Sequence, residues 1–267
     1  MPLLTYHSPS AIIIFRRSTE LELTCSFRLV SVRKMSEAID KVRGVRELPL
    51  FPLPVVLFPG VPLPLHIFEP KYRQMLDDIR VSNNLFGLSY FDPTATEQEL
   101  PPAGHVGCVA ELTETQALPD GRSNILVVGL IRYQVDSYVE RGAPYLVAQV
   151  SYFEDDEEDY TLLTDCAQDV AETFTRIAQA VRIINDERAH LPDISDTEPQ
   201  RLSFLVAAAM EIETDLKQEL LELRSTSERL RRLRDMLNRA VKSYEERARI
   251  HELAKGNGHS GGKIELE

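Results

Sequence analysis

"ELPLFPLPVVLFPGVPLPLHIFEPKYRQML", residues Glu47–Leu76, carries seven prolines in its first 24 residues and is still among the most apolar parts of the chain. Proline fixes φ and removes the backbone donor, so this reads as an extended, kinked segment, partly at a sheet edge, and not as an interior strand. Its Leu, Val and Phe side chains must then pack locally. Glu69-Pro70-Lys71-Tyr72-Arg73 reads as a helix start, with proline tolerated in the first turn and Met75, Leu76 and Ile79 on the buried face. Two readings of the apolar surface follow. One is a groove lined by Pro64, Leu65, Phe68 and Tyr72 that holds an extended apolar peptide. The other is rigid closure of a small barrel, which ranks first; the two are compatible.

Beyond this stretch, Asn84–Phe91 and His105–Leu118 are rich in β-forming residues bounded by proline and glycine. Pro119-Asp120-Gly121-Arg122 supplies turn chemistry before "SNILVVGLIRYQVDSYVE", and together they predict a long hairpin. Tyr145–Phe153 is a further strand. Several strands with one short helix point to a small closed or nearly closed β-barrel. The character changes at Glu154–Asp159, six acids in a row, read as a solvated linker entering a helix N-terminus. Tyr160 to about Asn185 reads as one helix and "QRLSFLVAAAMEI" after Pro199 as a buried one. Ser225-Thr226-Ser227-Glu228 is a capping box opening a long helix, with Leu230, Leu233, Leu237, Val241, Tyr244 and Ala248 on one stripe and the intervening Arg and Glu facing water or pairing. The expected organisation is residues 1–45 as a disordered or mis-assigned extension, 46–153 as the β-barrel, 154–254 as a helical subdomain and 255–267 as a flexible tail.

The net charge is −12, with residues 1–34 carrying five basic and two acidic residues, which leaves −15 for the remainder. A surface of that sign repels phosphate backbones and anionic membranes, so neither nucleic acid nor membrane is an expected partner. Three scattered cysteines, Cys25, Cys108 and Cys166, form neither a disulfide framework nor a zinc site and fit a reducing, cytoplasmic setting. Residues 1–34 lack a signal-peptide core; they read as an over-extended start with Met35 as initiator, or as a transit peptide to a plastid or other organelle.

Catalytic motifs are missing from the sequence. There is no phosphate-binding loop, no G-x-S-x-G elbow and no H-E-x-x-H pair. His66 and His105 have no recognisable nucleophile beside them, Cys108 lies in a β run as a buried thiol, and Asp77 and Asp78 diverge on their helix. No catalytic, metal or cofactor site is therefore expected.

With these residues on view, "RELPLFPLPVVLFPGVPLPLHIFEPKYRQML" resembles the opening of the Lon protease N-terminal, substrate-binding domain in its stand-alone form. "VGCVAEL", "DGRSNILVVGLIRYQV" and the late "LSFLVAAAMEIETDLKQELLELRSTSERLRRLRDMLNRAVKSYEE" support the likeness, from about Arg46 to Ile250. The resemblance implies an α+β fold: a PUA-like β pseudo-barrel followed by a C-terminal α-helical bundle with one long helix. It also implies binding of unfolded or extended polypeptide, in quality control or in substrate recognition for a protease partner. Full-length Lon adds an ATPase and a Ser-Lys peptidase, neither of which this sequence holds, so the expectation is a protein that is not an enzyme. Two alternatives stand beside it: an RNA-binding PUA-like module, and a self-associating scaffold that forms a homo-oligomer through the C-terminal helix.

Overall fold

A computed structural model describes residues 35–91, 100–187, 191 and 193–257. The order of elements is α1 (Met35–Val42), β1 (Glu47–Leu53), β2 (Pro62–Ile67), α2 (Pro70–Arg80), β3 (Leu85–Tyr90), β4 (Val106–Ala117), β5 (Ser123–Tyr138), β6 (Leu146–Phe153), α3 (Tyr160–Ile184), α4 (Pro199–Ala209), α5 (Thr214–Glu222) and α6 (Thr226–Asn257). The chain forms two compact units. One comprises residues up to Glu154 together with Ile212–Glu222; the other comprises Asp155–Glu211 with the chain from Leu223 onward. The sequence places the boundary between the barrel and the helical subdomain at 153/154. In the structure α5, a helix the sequence reading did not separate from its neighbours, belongs with the sheet.

In the first unit the strand order is β2-β5-β4-β3-β1-β6, and β5 also pairs with β6, which closes a five-stranded ring with β2 added outside it. The sixteen-residue β5 makes this closure possible. Its first half pairs with β2 and its second half, Arg132–Tyr138, with β6. This is the PUA-like pseudo-barrel.

β1 overturns one expectation, because it runs inside the ring between β3 and β6 despite Pro49 and Pro52. The reason is a stagger. β6 pairs with residues 47–50 and β3 with residues 50–53. Val150 N donates to Arg46 O at 3.1 Å, so even-numbered residues turn their backbone groups to β6; Phe91 N donates to Leu53 O at 2.9 Å, so odd-numbered ones turn to β3. Pro49 thus faces β3 before that pairing begins, and Pro52 faces β6 after that pairing has ended. Neither proline removes a ladder bond.

Two apolar layers hold the unit. Leu48, Leu85, Val109, Tyr133 and Ala148, one from each ring strand, share a cluster and so fill the inside of the ring. Tyr133 Oη lies 2.7 Å from Ser89 Oγ, and Gly87 and Gly107 leave room for its ring, since a Cβ there would stand 2.7 and 2.5 Å from it. Outside, Tyr72, Met75, Leu76 and Ile79 of α2 pack on Phe86 and Ile125. Met35–Val42, placed by the sequence within a disordered extension, is helical; Val42 joins the inner cluster and Lys41 pairs with Glu111. A regular helix with a buried residue follows from the apolar spacing of Ala38 and Val42. Residues 1–34 and 258–267 lie outside the described residues.

α5 docks through polar contacts. Arg132, almost fully buried, donates to Leu221 O at 3.0 Å and lies over the Phe153 ring, while Gln218 Nε2 donates to Val106 O at 2.9 Å and Tyr90 Oη to Asp215 at 2.8 Å. A cation at a helix C-terminus satisfies carbonyls that have no intrahelical donor.

In the second unit α3 and α6 pack along their length, joined by α4. Of the stripe, Leu230, Leu233, Leu237, Val241 and Ala248 are buried within this unit and Tyr244 is half-buried. Ser225 Oγ accepts from Glu228 N at 3.0 Å, which is half of the capping box. The Glu228 carboxylate turns instead to Arg231 and Arg232, whose hydrogen bonds hold its pKa down to about 2.

The acidic run is also not simply a solvated linker. Asp159 caps α3 by accepting from Thr161 N at 2.9 Å, Glu158 accepts from Ser227 N at 3.2 Å, and Asp155 is buried against Arg229. Arg229 has no exposed side-chain surface. It also donates to Ser203 Oγ at 2.7 Å and Leu223 O at 2.9 Å and lies 4.0 Å from the Phe204 ring centroid.

Candidate functional site

β2 and the turn into α2 carry the four residues named from the sequence. Their placement begins with Gly129, where the loop before β2 meets β5 backbone to backbone: Gly60 N donates to Gly129 O at 2.8 Å and Gly129 N to Val61 O at 3.0 Å. A Cβ on Gly129 would stand 2.1 Å from Phe58 O, so only glycine permits this approach. From there β2 runs antiparallel to β5, with Pro64 opposite Leu126 and Leu65 opposite Ile125.

Side chains alternate along this strand. Leu63, Leu65 and Ile67 face the α2 core, whereas Pro62, Pro64 and His66 face out and are exposed. Phe68, just past the strand, is 49% exposed and stacks on His66 with ring centroids 6.0 Å apart. Tyr72 is only 8% exposed; its ring lies 4.0 Å from that of Phe51, with the Lys71 ammonium 4.7 Å from its own centroid. Burial pushes its phenol pKa up. The structure therefore brings Pro64 and Phe68 to an open surface, turns Leu65 half-buried to the other face, and places Tyr72 in the core beneath.

Sequence reading missed the polar companions of this surface. His66 Nδ1 is 2.7 Å from Asn124 Oδ1, and Asn124 Nδ2 donates to Gln116 Oε1 at 3.2 Å, a ladder across three strands. The register creates it, and only a paired alignment of β2, β5 and β4 reveals it. His66 has no nucleophile among these neighbours. His105 lies elsewhere, with Nε2 buried and unpartnered; burial lowers its pKa while Glu222 opposes that shift. Cys108 is fully buried, and desolvation pushes its thiol up to about 12, where it does not ionise near neutrality. Among the described residues no group of three or more His, Cys, Asp or Glu side chains is placed to hold a metal ion, and no helix is long and apolar enough to cross a membrane.

The family model for the ATP-dependent protease La (LON) substrate-binding domain matches residues 47–239. The chain belongs to this family.

Two solved Lon N-terminal domains have the same fold. The Lon N-terminal domain protein from Xanthomonas campestris is 22% identical, with a TM-score of 0.51 over 70% of this chain and 96% of its own. The N-terminal domain of the Mycobacterium avium complex Lon protease is 19% identical, with a TM-score of 0.55 over 72% of this chain and 98% of its own. Among curated relatives, Lon protease 2 of Herpetosiphon aurantiacus is 26% identical, matching 77% of this chain and 25% of its own length. Lon protease of Bacillus thuringiensis is 30% identical over 70% of this chain and 24% of its own. The Lon substrate-binding domain seen here thus spans about a quarter of the curated relatives it matches.

Proposed function

We propose that this chain is a non-catalytic polypeptide-binding module that recognises substrates for a protease partner or serves protein quality control. The match of residues 47–239 to a substrate-binding domain carries the reading. The surface of Pro64 and Phe68, supported from beneath by Leu65 and Tyr72, supplies the contact for an extended apolar chain. An exposed aromatic beside proline gives apolar area with little side-chain entropy to lose. The high thiol pKa of Cys108 and the pairing of His66 with Asn124, which is not a nucleophile, support a role without covalent chemistry. The setting we assign is the cytoplasm, or a plastid or other organelle if residues 1–34 are a transit peptide; the intact mass of the endogenous protein distinguishes the two.

A titration with a reduced, carboxymethylated protein that cannot refold tests the reading. Saturable binding is expected, weakened several-fold by Phe68→Ala at an unchanged melting temperature. Absence of binding by the wild-type protein overturns it.

A further inference from the structure

We propose that the free edge of β2 receives one extended polypeptide segment through one-sided hydrogen bonds, in which the edge accepts and the ligand donates. This rests on the polypeptide-binding reading above and specifies how the ligand is held.

The bond from Gly129 N to Val61 O, 3.0 Å, fixes the phase of the β2–β5 ladder. With Pro62 opposite Val128 and His66 opposite Asn124, the backbone groups of Leu63, Leu65 and Ile67 point toward β5, and those of Pro62, Pro64 and His66 point away. β2 is the first strand in the sheet order, and among the described residues no strand lies on its far side. Pro62, Pro64 and His66 are all exposed. From Pro62 to His66 the edge therefore offers three carbonyls but a single N–H, that of His66.

This imbalance selects the occupant. A second sheet edge joining here would leave its own carbonyls without donors, which makes regular strand addition costly. A lone extended segment keeps those carbonyls in water and still donates alternate N–H groups to the Pro62, Pro64 and His66 carbonyls. Phe68, stacked on His66, meets the ligand side chains on that face. The net charge of −12 favours a segment flanked by lysines.

The probe is the labelled peptide acetyl-KLTVTLTVK-amide, followed by fluorescence anisotropy. Two derivatives carry N-methyl groups on every Leu and Val nitrogen, or on every Thr nitrogen. A slip by two residues keeps this parity, and a slip by one would turn Thr toward Phe68. One derivative is expected to lose affinity by at least about tenfold and the other to stay within about threefold. Equal affinities of the two derivatives, whether both are weakened or neither is, overturn the one-sided mode while leaving the function standing; failure of the unmodified peptide to bind overturns the mode alone if the carboxymethylated protein still binds, and both if it does not. The variant Pro62→Val/Pro64→Val restores two donors and is expected to sediment as a larger species than wild type. An unchanged sedimentation profile also overturns the assignment.

Discussion

Gly129→Ala is the most demanding perturbation of the barrel. Its Cβ would stand 2.1 Å from the Phe58 carbonyl oxygen, a backbone atom that cannot rotate aside. Relief requires the loop to retreat by about 1 Å, past the range of the two bonds that tie Gly60 and Val61 to Gly129. Overpacking costs about 1–3 kcal/mol and each lost backbone bond about 1 kcal/mol, giving a loss of about 3–5 kcal/mol. For a unit of this size that is a fall of roughly 10 °C in melting temperature. Gly60→Ala is the control: φ there is +76° but no atom lies within 4 Å of the added methyl, so only the strain of a left-handed alanine remains, about 1 kcal/mol. The assay is thermal unfolding by circular dichroism, with hydrogen exchange of β2 as the local reading. If Gly129→Ala melts with Gly60→Ala, the close approach is not what positions β2.

Arg229→Met strands Asp155 without its buried partner and is expected to cost the helical unit about 3–5 kcal/mol in urea unfolding, read by exchange in α3 and α6; a loss under about 1 kcal/mol contradicts the buried network. Tyr72→Ala removes a core ring and should lose about 3–5 kcal/mol, whereas Phe68→Ala, at 49% exposure, should change stability by under about 1 kcal/mol; the opposite ranking in denaturant melts would reverse their roles. His105 has a folded pKa below its unfolded one. The unfolded chain thus holds the extra proton as pH falls through about 6.5, and the barrel unit loses stability on acidification through that window. His105→Gln should remove this part of the loss between pH 7.5 and 5.5; an unchanged difference dismisses the residue as its source.

The strands, the hairpin turn at Pro119–Arg122 and the helix starting at Pro70 were legible because each has a local signal: alternation, turn residues or a tolerated proline. Ring closure was legible only as a class of fold. The stagger that accommodates Pro49 and Pro52 in β1 depends on where β3 and β6 begin to pair, which no local pattern encodes. Arg229 stands among charged neighbours on an amphipathic helix, so its burial was invisible without Asp155, 74 residues away. Likewise Pro64 and Phe68 were recognised as apolar, but only the register separates them from Leu65 on the opposite face of the strand.

The return of α5 to the barrel unit bears on the order of events during synthesis. The six strands are all made by Phe153, yet the carbonyl that receives Arg132 belongs to Leu221, and the amide that bonds Val106 belongs to Gln218. A nascent barrel therefore waits, with the Arg132 guanidinium lacking that acceptor, until α3 and α4 have been made and α5 has followed. Long-range closure of this kind slows completion and lengthens the time an unfinished sheet is exposed. A ribosome pause after Glu154 would prolong that interval.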